Sequence, residues 1–239
     1  MTYTKGIDVS AWQDNNYTVE KINWQKAAQM GTKFVFMRAA YIYKKDEDYD
    51  YNNAESKRAG VLRGAYHYPS YMLPAVAQAE FFWSIIEKDP GELPPVLDLE
   101  QVPGTALPNG YNWTVWARQY MTRLEELCGR KPIFYCNPNI IKNVLQVKEG
   151  DWLTHYPLWV AHYGAQTPLY SPWDKWTFWQ YSSTGDGLAH GMESKGLDMD
   201  WFNGSEKELI EFAGSGAVQP TLTLEEKVER LWKSHPELW

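Results

Sequence analysis

The feature that most constrains this chain is a rhythm of short apolar runs separated by helical segments. Residues 5–10, 32–40, 61–69, 94–100, 131–138, 158–163, 176–181 and 196–200 each read as a strand. Residues 32–40 are apolar almost throughout, the pattern of a strand buried on both faces. Segments of helical spacing at 23–30, 51–59, 75–86, 113–128 and 139–145 separate the first six strands, and only irregular loops connect the last three. Such alternation predicts a parallel sheet, and eight strands close a barrel filled by its own side chains. The length, 239 residues, is near the roughly 250 of a single β/α barrel. The expectation is an α/β fold: an irregular, TIM-like β/α barrel of eight strands and about five major helices over residues 1–213.

Residues 214–220, within a Gly- and Ser-containing stretch that begins at Phe212, read as a linker. Residues 221–239 read as one short amphipathic helix. Thr223-Leu224-Glu225-Glu226 forms a capping box, and Leu224, Val228, Leu231 and Trp232 recur at helical spacing. One helix of this length is not a domain. It is expected to dock on the barrel, the alternative being a partner or a second copy of the chain.

Composition narrows the function. A net charge of −7 without a long basic run argues against a nucleic-acid partner. No apolar run reaches membrane length, and residues 1–6 lead into a strand without a signal-peptide pattern. Synthesis in a cytoplasm is therefore expected. Cys128 and Cys136 read as free thiols. The 13 Trp and 16 Tyr include rings that can stack on flat ligands such as sugars.

The acids carry the chemistry. On the strand at 94–100, period two puts Val96, Asp98 and Glu100 on one face and Leu97 and Leu99 on the other. Carboxylates two apart on a strand lie roughly 6.6 Å apart at Cα, near enough to perturb each other's ionisation. In a parallel barrel the strand C-termini share one face, where Asp8, Asp98, Glu100 and Asp198 converge. Closure sets Asp198 beside Asp8. Four acids at one mouth push at least one pKa upward, as a general acid near neutral pH requires. Tyr66, Tyr135, Trp159, Tyr163 and Gln180 are the candidates for binding a substrate there. Arg38, if inward, can pair with the acids or with a substrate carboxylate. The histidines have no metal-ligand spacing. Glycoside hydrolysis and metal-dependent phosphate hydrolysis both use such clusters, and the surrounding rings favour sugar.

The ordered set Gly6-Ile7-Asp8-Val9-Ser10-Ala11-Trp12-Gln13, Gly64-Ala65-Tyr66-His67-Tyr68, Pro95-Val96-Leu97-Asp98-Leu99-Glu100, Leu158-Trp159-Val160-Ala161-His162-Tyr163-Gly164, Trp179-Gln180-Tyr181-Ser182 and Leu197-Asp198-Met199-Asp200-Trp201-Phe202-Asn203-Gly204 resembles the glycoside hydrolase family 25 lysozymes. These are the N-acetylmuramidases of phage endolysins and bacterial autolysins. The resemblance spans about residues 3–213. It implies cleavage of the β-1,4 bond between N-acetylmuramic acid and N-acetylglucosamine in peptidoglycan, with no metal or cofactor. Glu100 matches the acid/base, Asp98 its partner, and Asp8 and Asp198 the other two site aspartates. Asp200 departs from the family, which often has Asn there; it either adds charge to the mouth or leaves it on a bulge. Two acids on one strand do not readily flank a sugar ring, so the expected mechanism is retention assisted by the substrate's acetamido group. A metal-dependent phosphohydrolase and an inactive glycan-binding barrel are the alternatives. An endolysin made in a host cytoplasm and released to the wall fits the missing leader pattern.

Overall fold

A computed structural model describes residues 2–14, 21–100 and 112–214. The helix expected over 221–239 and most of the linker lie outside the described residues. The elements in chain order are β1 (Thr4–Val9), α1 (Trp24–Gln29), β2 (Phe34–Tyr41), β3 (Lys44–Lys45), α2 (Tyr49–Arg58), β4 (Leu62–Tyr68), α3 (Ala75–Ile86), β5 (Val96–Asp98), α4 (Trp113–Cys128), β6 (Ile133–Cys136), β7 (Leu158–Ala161), β8 (Phe178–Asp186), β9 (Gly196–Phe202) and α5 (Glu206–Gly214). Eight of the strands form a closed ring in the order β1-β9-β8-β7-β6-β5-β4-β2, with β2 pairing back to β1 and the two-residue β3 attached to β2. The result is the expected α/β barrel. Among the described residues no helix is long and apolar enough to cross a membrane.

Side-chain alternation sorts the barrel into two layers. Leu97, Leu99, Phe134, Leu158 and Val160 face outward and are buried under α3 and α4 residues such as Phe82, Tyr120 and Leu124. Phe34, Phe36, Val96, Ile133, Trp159 and Phe178 face inward and fill the interior. Room for the two phenylalanines of β2 comes from glycines on the flanking strands. A Cβ on Gly6 would lie 2.3 Å from the Phe34 ring, and one on Gly64 would lie 2.5 Å from the Phe36 ring. The outer helices are set by local signals: the Asn23 side chain accepts the Lys26 N–H, Asn112 accepts that of Val115, and α4 stops on Gly129 in the left-handed region at φ 70°.

Two features differ from the sequence reading. First, β9 runs antiparallel to both β8 and β1, so the barrel is not parallel throughout. Pairing of β8 extends to Asp186, and the connection that remains, 187–195, is shorter than the dozen or more residues of a parallel crossover. Asp198 still pairs directly with Asp8. Second, Phe212–Gly214 is not linker but the last turn of α5. The Ser205 hydroxyl accepts the Glu208 N–H while the Glu208 carboxylate accepts the Ser205 N–H, a capping box at its start. α5 closes the floor of the barrel: Leu209 and Ala213 are buried in the interior cluster, and the Phe212 ring packs 5.7 Å from Phe178 and 5.9 Å from Phe202. Leu209→Ala should therefore cost about 2–5 kcal/mol, read as a lower urea midpoint at unchanged slope; a loss below about 0.5 kcal/mol would mean that α5 does not seal the core.

Candidate active site

Opposite α5, the mouth opens into a cleft of about 350 Å³. All nine residues singled out from the sequence line it: Asp8, Asp98, Glu100 and Asp198, with Tyr66, Tyr135, Trp159, Tyr163 and Gln180. Each arrives from its own strand or just past its end. Asp98 closes β5, and the Leu99 N–H donates to the Tyr135 carbonyl at 3.0 Å. That bond carries the ladder one residue further and presents Glu100 at the rim. Asp98 is buried, whereas Glu100 and Asp198 are half-buried.

Gln180 ties the cleft together. Its amide Nε2 donates to Asp8 Oδ2 at 2.6 Å. Its Oε1 accepts from the Tyr135 hydroxyl at 2.8 Å and from the Tyr163 hydroxyl at 2.7 Å. Trp159 forms the floor. It is buried, stacks on Phe36 at 4.4 Å, and donates its indole N–H to Asp200 Oδ1 at 2.8 Å. Tyr163, 50% exposed, stands at the edge. Asp200 neither lines the mouth nor leaves on a bulge; it is wholly buried inside the barrel, opposite Gly6.

Burial is the first cause that raises every acid of the group. Asp8 is held well above its ordinary value by burial, then by Asp200 and Asp198, against the lowering bond from Gln180. Asp98 is raised by burial and by Glu100, and lowered by Arg38. Glu100 is raised by burial and lowered by the nearby Tyr135 hydroxyl. Asp198 is pushed up to about 6 by burial and Glu100. A carboxyl with a raised folded pKa binds a proton that the unfolded chain has already released, so its contribution to stability is present below the unfolded value and is lost as pH rises through the folded one. The Asp198 share of that loss should run from about pH 4 and be spent by about 6, while neutral His67, pushed down to about 4 by burial, gains stability over the same window. The check is therefore a comparison: the melting temperature of Asp198→Asn should fall less, or rise more, than the parent's between pH 4 and 6, and equal pH dependence would contradict the raised Asp198.

Sequence reasoning missed part of the rim. Trp12, on a 3-10 turn over Ala11–Gln13, is 78% exposed at the cleft edge. The signal was its place four residues after Asp8 in a motif already anchored by that acid. Ser10, Gln13 and Tyr68 also line the cleft. Arg38 is the one cation among its described lining residues. Its Nε donates to Asp46 Oδ2 at 2.7 Å, and that oxygen also accepts the Ala11 N–H; its charge lowers Asp98 without a hydrogen bond to it among the described contacts. This clamp fixes the turn that carries Trp12.

Residues 7–188 match the family described as glycosyl hydrolases family 25. The chain belongs to that family. Lysozyme M1 of Streptomyces globisporus is 32% identical over 228 residues, spanning 89% of this chain and 72% of its own length. A bacterial lysozyme from Streptomyces coelicolor superposes with a TM-score of 0.76 at 30% identity, covering 91% of this chain and 100% of the other. A family 25 glycosyl hydrolase from Bacillus anthracis superposes with a TM-score of 0.75 at 26% identity, covering 88% and 93%. The cleft of this family 25 glycoside hydrolase thus places a raised acid, Glu100, beside a more deeply buried one, Asp98. Both carboxyls are raised, so a proton is held within the pair above the ordinary carboxylate range, as acid/base chemistry on a glycosidic bond requires.

Proposed function

We propose that this family 25 enzyme is a lysozyme, an N-acetylmuramidase that hydrolyses the β-1,4 bond between N-acetylmuramic acid and N-acetylglucosamine in bacterial peptidoglycan, with net retention and the substrate's acetamido oxygen as nucleophile. Lysozymes among the relatives support the substrate class. The observation that carries the mechanism is Asp98: it lines the cleft beside Glu100 with its carboxyl largely buried. The acetamido N–H of a muramic acid residue is a donor of the right kind for a carboxyl placed there.

In this reading Glu100 gives its proton to the glycosidic oxygen as the acetamido carbonyl oxygen bonds to C1. N-acetylglucosamine leaves with that proton, and a bicyclic oxazolinium remains. Asp98 accepts the acetamido N–H, aligns the group and offsets its positive charge. Glu100, now a carboxylate, takes a proton from water as the water oxygen bonds to C1 and the C1–acetamido bond breaks. Attack from opposite faces in turn restores the original configuration. Asp8 and Asp198 add negative potential that favours the cation-like transition state. Gln180, with Tyr135 and Tyr163 on its oxygen, holds Asp8 in register, and Tyr66 and Trp159 shape the wall and floor.

Digestion of purified peptidoglycan followed by mass analysis of the reducing ends tests the bond assigned. New muramic acid termini are expected; glucosamine termini would refute it. The first anomer formed should be β, and an initially inverted product would end the retaining mechanism. Activity should survive EDTA, whereas the metal-dependent phosphohydrolase alternative predicts its loss. The enzyme acts on the cell wall; synthesis in a host cytoplasm before release is the accompanying proposal, tested by fractionating producing cells before lysis.

A further inference from the structure

Asp200 is the acid that the catalytic reading leaves without a task. Its register on β9 sets it opposite Gly6 of β1 and Gln180 of β8, beneath Asp8 on the inward face. It is 0% exposed. Its Oδ1 takes the Trp159 indole N–H, while its buried Oδ2 meets no N–H or O–H donor among the described residues. The carboxyl facing it is that of Asp8, within hydrogen-bonding reach. Asp8 in turn receives one neutral donor, the Gln180 amide. The other ionisable groups that bear on the pair are Asp198 on β9 and Tyr66, Tyr163 and Tyr181, none of them a cation. Arg38, the cation of the cleft, is engaged by Asp46. Two apposed carboxylates with no cation and no donor between them repel in a dry interior, whereas one proton shared between them makes a strong charge-assisted bond.

We propose that Asp200 and Asp8 share one proton in the folded enzyme, so that the buried pair carries a single negative charge. Asp200 is then a positioning residue. It completes a chain of hydrogen bonds from the Trp159 indole through Asp200, Asp8 and Gln180 to the hydroxyls of Tyr135 and Tyr163, which defines the orientation of Asp8. Burial, the largest influence on both carboxyls, raises each, and their mutual hydrogen bond raises Asp8 while lowering Asp200. The catalytic consequence rests on the roles proposed above for Asp98 and Glu100; the proton does not.

Asp200→Asn tests it, because an amide keeps an acceptor for Trp159 and a donor for Asp8 without the proton. Between about pH 5 and 8 the parent's unfolding equilibrium constant should rise about tenfold more per pH unit than the variant's, the signature of one extra proton bound by the folded state. Equal slopes would overturn the proposal. The alkaline midpoint of the rate profile should move by less than about 0.2 unit, since the pair's charge is unchanged. A fall of about half a unit or more would show that the parent pair had carried a second negative charge, and would overturn it too. Should the variant not fold, the infrared spectrum of a chain that keeps Asp200 decides. With Asp98→Asn as background, a protonated-carboxyl band should outlast the one lost with Glu100 as pH is raised, and its disappearance in the same step would sink the idea. The stability and infrared measurements need no turnover, so a failure of the proton is distinguishable from a failure of the muramidase mechanism.

Discussion

Glu100→Gln should lower kcat on purified cell wall by about 10²–10⁴-fold, the range for loss of a general acid, without destabilising the fold at neutral pH. The second half matters as much as the first. Glu100 is half-buried with its carboxyl raised by that burial, so an uncharged isostere relieves a desolvation cost above the ordinary carboxylate range. The expected pair of results is a near-dead enzyme that melts no earlier than its parent at pH 7. Turbidity clearance and a thermal melt on the same preparation provide both. Activity within tenfold of the parent would remove Glu100 from the proton-transfer role, and loss of folding would show that its carboxylate is structural.

Asp98→Asn should cost about 10²–10³-fold in kcat, comparable with deleting a group that stabilises charge in a transition state. A carboxylate that meets the acetamido N–H offsets developing positive charge; an asparagine of the same shape cannot. Substrate then separates the two nucleophile assignments. If the acetamido oxygen attacks C1, wall whose muramic acid has lost its N-acetyl group should be inert to the parent enzyme, and Asp98→Asn should make no further difference on it. If Asp98 itself attacks, the parent should still cleave deacetylated wall and a glycosyl-enzyme adduct should be trappable. Mass spectrometry of the intact protein would show that adduct.

The parts of this molecule legible in the sequence were those governed by local periodicity. The bounds of α3 and α4, 75–86 and 113–128, follow from apolar spacing and end signals alone, and the inward phase of Val96 and Asp98 follows from period two. Closure of an eight-strand ring then brought Asp198 to Asp8 without any further information. What escaped depended on tertiary pairing or on competing signals. The direction of β9 is decided by how far β8 keeps its pairing, to Asp186 rather than Tyr181, which shortens the connection. The start of α5 was written in the Ser205–Glu208 capping box, but the glycines at 214 and 216 drew the reading toward a linker. Arg38 took Asp46 as its partner because β2 and β3 form an antiparallel ribbon that returns the chain to it. The depth of Asp200 follows from its register opposite a residue with no side chain, Gly6.

The reversal of β9 also decides on which side of the molecule the chain continues. Running from the mouth at Asp198 down to Phe202, the strand delivers α5 straight to the underside of the barrel. There the Arg130 guanidinium donates to the carbonyls of Phe212 and Ala213. The described chain thus ends, at Gly214, on the pole opposite the acids that line the mouth, so a fusion partner or label attached at that residue has its point of attachment away from the cleft.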